Sequence, residues 1–84
     1  MDLKRLQEQV VLLEARALEL GMANPSPHVL DELRYSLHDV NALRALLPGS
    51  GITRVLRARA DSIYAELSSI HAHWTARDGQ YAAA

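Results

Sequence analysis

A histidine and a carboxylate four residues apart on a helix can close on one metal ion, and His28 and Glu32 have that spacing. Tyr35 and Asp39 extend the same stripe, while Asp31 and His38 lie seven apart along its edge. His28, Glu32 and Asp39 are therefore the candidate metal ligands, and metal binding by this face is one alternative function. The chain contains no HExxH, and an ExxH beginning at Glu32 would need a histidine where Tyr35 stands. A solvated polar face is the expected state, and no metal or other cofactor is expected. His71 and His73 are close in sequence, but residues two apart on a helix point in nearly opposite directions. His71 instead lies about two turns beyond Tyr64, on the same flank. Histidine titrates near neutrality, so an interface at His71 would respond to mild acid.

Catalysis needs a nucleophile beside a base, or paired carboxylates in a cleft. The chain has no cysteine, which excludes thiol chemistry, disulfides and cysteine-based zinc or iron–sulfur sites. Ser26 and Ser50 are accounted for as helix caps, and Ser36, Ser62, Ser68 and Ser69 fall on helical segments. The only glycines are Gly21, Gly49, Gly51 and Gly79, so no loop can cradle a phosphate. Arg34 and His38 resemble the Arg…His pair of HEPN-type ribonucleases. Their spacing is at least one residue short of that motif, and the chain is small for that fold. No enzymatic activity is expected.

Ala45, Gly49 and Val55 resemble the small residue, turn glycine and β-branched core residue of helix-turn-helix proteins. Arg54, Arg57 and Arg59 follow where a recognition helix would begin. A DNA-binding regulator built around residues 41–60 is thus the other alternative. Pro48 stands where such a motif packs an apolar residue, and Gly51 adds a second breaker. The three arginines do not share one narrow stripe of a helix. With 9 basic and 10 acidic residues, the chain carries a formal charge of −1 and lacks the basic excess that holds DNA or an anionic membrane. Nucleic acid is not the expected partner.

The elements that must position these residues are set by two clusters of breakers, Gly21–Pro27 and Pro48–Gly51. Around them lie three segments with helical periodicity, and nowhere does a period-two alternation suggest a strand. The fold class is all-α: three amphipathic helices at about 2–22, 27–47 and 51–77, as a helical hairpin or three-helix bundle with coiled-coil-like packing. Residues 1–78 make a single domain, and 79–84 a frayed tail beyond a stop at Gly79. In the first helix, Leu3, Leu6, Val10, Leu13, Ala17 and Leu20 form a heptad seam. In the second, Ser26 caps with Pro27 at the first helical position, or Asn24 and Pro25 do so two residues earlier. Val29, Leu33, Leu37, Val40, Leu43 and Leu47, widened by Leu30, are its apolar face. Ser50 can cap the third helix, whose seam is Ile52, Leu56, Ala60, Ile63, Leu67, Ile70 and Trp74. That helix is the longest and should overhang the other two.

One feature is surplus to a single core. Val11, Ala15, Leu18 and Met22 form a second apolar stripe on the first helix, along a face beside the seam. Either both stripes pack inside the bundle, or the second is a subunit or target interface. A chain of 84 residues buries only about 60% of its unfolded surface on folding, which makes a partner valuable. The expected function is a small non-enzymatic interaction module (an adaptor, chaperone or inhibitor of another protein) acting by occlusion or bridging as a C2 homodimer. Val11, Leu18 and Met22 are its candidate contact residues. Tyr64, His71 and Trp74 are a candidate aromatic anchor, since Trp and Tyr are enriched at binding hot spots; Trp74 is otherwise the last core residue of its helix. In size and pattern the chain resembles secretion chaperones and phage-encoded inhibitors of host factors. Its longest unbroken apolar run is Val10–Leu13, and its first residues are charged and amphipathic. No membrane span and no signal peptide are read from it, and a cytoplasmic protein of bacterial or phage origin is expected.

Overall fold

The computed structural model describes residues 2–24 and 26–83, and the side chains among them as far as residue 76. Three α-helices pack against one another: α1 (Leu3–Met22), α2 (Pro27–Leu46) and α3 (Arg54–Ala83), with a 3₁₀ turn (Gly51–Thr53) leading into α3. No strand occurs among the described residues. The fold is an all-α three-helix bundle, 50 × 18 × 16 Å, and the bundle, not the hairpin, is the form the chain takes. α1 and α3 run in one direction and α2 in the other. α1 and α2 are each about 30 Å long at 1.5 Å per residue, and α3 about 45 Å. α3 is the longest helix, as expected. It passes through Gly79, where a stop was expected, and ends at Ala83. A glycine inside a helix costs about 1 kcal/mol relative to alanine and does not terminate it alone.

The helix ends follow local chemistry. Asp2 caps α1, its Oδ1 accepting from the Arg5 N–H at 3.3 Å. The chain leaves the helix at Ala23, whose ψ of 150° is extended, shortly before Pro25. Ser26 caps α2 through Oγ, which accepts from the Val29 N–H at 3.1 Å, with Pro27 in the first turn. The Asn24–Pro25 alternative falls partly outside the described residues. Ser50 makes no side-chain cap. Thr53 instead closes the corner, its Oγ1 donating to the Pro48 carbonyl at 2.8 Å and the Ser50 carbonyl at 3.3 Å. Gly51 has φ +73°, a conformation that L side chains disfavour, so glycine is the residue best suited to this turn.

The core is the set that the seams select. Leu6, Val10, Leu13, Ala17 and Leu20 of α1 are buried against Leu33, Val40, Leu43 and Leu47 from the second segment and Leu56, Ala60, Ile63 and Leu67 of α3. Leu3, Val29, Leu30, Leu37, Tyr64, Ile70 and Trp74 pack around it, partly buried. Ile52, placed in the α3 seam by its spacing, is 79% exposed, and Thr53 is buried in its stead. The tighter 3₁₀ turn advances the chain by 120° per residue, not 100°, which takes Ile52 off the α-helical seam. Ser36, a polar residue that periodicity places on no apolar face, is fully buried between Leu33 and Val40.

Candidate protein-interaction surface

α1 is bound to the bundle along one side only. Its inward seam is buried, and the Glu14 carboxylate grips the Arg59 guanidinium of α3 in a two-pronged pair, with Arg59 Nε to Glu14 Oε2 at 3.1 Å. That donor holds the Glu14 carboxyl below the usual glutamate range. On the other flank Arg16 faces Asp39 of α2 at 3.7 Å. What remains is the outer face, where Val11, Ala15, Leu18 and Met22 are all exposed, Met22 by 73%. At 100° per residue these four side chains project well over 100° from the buried seam, away from both neighbouring helices. The stripe is thus on the far side of α1, not beside the seam, and the bundle core does not absorb it.

Tyr64, His71 and Trp74 occupy a different place. Tyr64 and Trp74 pack, half-buried, against the core. The Arg44 guanidinium lies 4.3 Å from the Tyr64 ring centroid, covering that face of the ring. Trp74 meets His73 edge-on, centroids 5.4 Å apart. His71 is half-buried, and its Nε2 is enclosed with no hydrogen-bond partner among the described residues. Tyr64 and Trp74 thus pack against the core, whereas the outer stripe of α1 lies off it.

The metal and DNA candidates are likewise separated. His28 is highly exposed, and its Nε2 stands 4.0 Å from Glu32 Oε1, whereas Asp39 turns to Arg16. Among the described residues no group of three or more His, Cys, Asp or Glu side chains is arranged to hold a metal. Ala45 and Val55, which a helix-turn-helix would pack between its helices, are exposed, as is Gly49. Arg57 and Arg59 are engaged within the bundle: Arg57 pairs with Asp61 one turn on at 3.1 Å, and Arg59 pairs with Glu14.

Two further apolar features escaped the sequence reading. A groove of about 410 Å³ runs between α1 and α2, floored by Leu12, Leu13, Leu43 and Leu46 and edged by Arg16 and Asp39. Leu46, Ile52 and Val55 are exposed near the α2–α3 corner. Periodicity gave no signal for these, because each belongs to no single helical stripe. No helix of the described residues is long and apolar enough to cross a membrane. Comparison with known proteins finds no family model, curated protein or solved structure that the chain matches.

Proposed function

We propose that this chain is a non-enzymatic interaction module that works by covering or bridging a surface of another protein, with the outer face of α1 as its contact surface. One observation carries the reading: an unbroken apolar stripe, Val11–Ala15–Leu18–Met22, on the side of α1 that the core does not use. Scattered exposed apolar residues are ordinary, but a contiguous row at heptad spacing matches the way an amphipathic helix presents itself to a second helix. An adaptor, chaperone or inhibitor in the cytoplasm of a bacterium or phage-infected cell is the setting that fits. Tyr64, His71 and Trp74 act in this reading as core and rim of the bundle, not as the anchor.

The test is a double substitution, Leu18→Glu with Met22→Glu, examined by circular dichroism and by affinity capture against the unsubstituted chain. The helical signal and thermal midpoint should stay close to those of the parent, while association is lost. If the double variant unfolds, the stripe belongs to the core and the reading fails. If it captures the same proteins as the parent, the contact surface lies elsewhere.

A further inference from the structure

The stripe has a symmetry that points to its occupant. Val11, Ala15, Leu18 and Met22 are spaced four, three and four, so the row reads the same from either end. A second α1 laid antiparallel on the first sets Val11 against Met22 and Ala15 against Leu18, then repeats both contacts through a two-fold axis. Large meets small in each central pair, as interdigitating side chains require. No apolar member of the row is left facing a charge.

The charge of the bundle favours the same orientation. The end that holds the 47–53 connection carries Lys4, Arg5, Arg44, Arg54, Arg57 and Arg59 against the acids Asp2, Glu8, Asp61 and Glu14, the last paired with Arg59. The opposite end carries Glu19, Asp31, Glu32, Glu66 and Asp78 against Arg34 and Arg77, and the Arg16–Asp39 pair between the two ends is neutral. A chain that is nearly neutral in total is therefore polar along its length. A parallel pair through α1 would set like poles side by side, and an antiparallel pair sets the basic end of each copy beside the acidic end of the other.

We infer that the outer face of α1 binds a second copy of this chain, as an antiparallel C2 dimer with Val11 on the partner's Met22 and Ala15 on the partner's Leu18. This rests on the reading of that face as a contact surface and adds the identity and direction of what covers it. The patch is small, at the low end of specific interfaces, so the dimer is of micromolar strength and exchanges readily. It would leave the α1–α2 groove of each copy open for a different protein.

The chain has no cysteine, so introduced thiols report without background. Val11→Cys and Met22→Cys chains, mixed and oxidised, should give the mixed 11–22 disulfide several-fold in excess over either self-disulfide. Identical positions sit about 17 Å apart along the axis of such a pair, beyond the roughly 7 Å Cα separation a disulfide tolerates. Sedimentation of the parent should show a dimer whose Kd rises several-fold as sodium chloride goes from tens to hundreds of millimolar. A predominance of 11–11 and 22–22 disulfides means a parallel pair and overturns the inference. So does a Kd that falls or holds steady with salt, since apolar contact alone is not weakened by it. A strict monomer at millimolar concentration also overturns it. In that case capture of a different protein by the parent, lost in the Leu18→Glu/Met22→Glu chain, would leave the interaction-module reading standing; capture unaffected by that change would remove both.

Discussion

Arg57 donates from Nη1 to the carbonyls of Arg44 and Leu47, at 3.0 and 2.9 Å, adding a second donor to the Arg44 carbonyl, which already accepts from the Leu47 N–H, and tying down the Leu47 carbonyl just past the end of α2. The cation also complements the negative end of the α2 dipole. Arg57→Ala should therefore destabilise by about 1–2 kcal/mol in urea titration, whereas Arg54→Ala, at an exposed position, should stay within about 0.5 kcal/mol. Ser36 poses the reverse case. Its Oγ is fully enclosed and without a hydrogen-bond partner among the described residues, so Ser36→Ala removes an uncompensated polar group. That change should be neutral or stabilising by up to about 1 kcal/mol; a loss of more than that would reveal a bond the hydroxyl makes. The carboxylates have a pH signature. Asp61 lies below the usual aspartate range because Arg44, at 2.8 Å, and Arg57 donate to it, and Glu14 is lowered by Arg59. Depressed carboxyls add stability above their unfolded pKa values, near 4, and surrender it as the pH falls through the lower folded ones. Thermal midpoints should hold steady from neutrality to about pH 5 and drop below about pH 4, with a smaller drop in a Glu14→Gln chain.

At the scale of the helix, the seams of α1 and α3 could be read from sequence because each buried position recurs at three or four and no breaker interrupts the run. Every α1 seam residue from Leu6 to Leu20 is buried. The reading failed where the helix was not yet an α-helix, and it could not foresee that Thr53 would use its hydroxyl to tie the Pro48 and Ser50 carbonyls. The face of α2 was harder to read. Its buried row runs through a serine, and periodicity weighs a serine as polar whatever surrounds it. The surplus stripe on α1 was visible as a pattern, but its direction depends on where the other two helices dock, which one sequence does not encode locally. Leu67→Ala, in the fully buried part of the α3 seam, should cost about 2–5 kcal/mol, while Leu18→Ala on the outer stripe should leave the free monomer nearly unchanged, both by denaturant titration. Gly51→Ala should cost about 1 kcal/mol, since no space is lost but φ +73° must be kept.

For the whole molecule, the lengthwise separation of charge matters more than the total of −1, which argues against nucleic acid and an anionic membrane as partners. Two of its ends would attract, and two copies with one stripe each can satisfy both forces once and then stop, because a two-fold contact closes. The corner between α2 and α3 has a different consequence. Arg57 bonds it to the end of α2, Arg44 crosses to Asp61 and Tyr64, and Thr53 fastens the connection from within. α1 is joined by its seam and by the Glu14–Arg59 and Arg16–Asp39 pairs. The chain is accordingly built as a stiff hairpin with a third helix laid against it, so native-state amide exchange should find α1 opening at lower free energy than the facing turns of α2 and α3. A helix that detaches first lays its seam open to solvent while α2 and α3 stay joined at their corner.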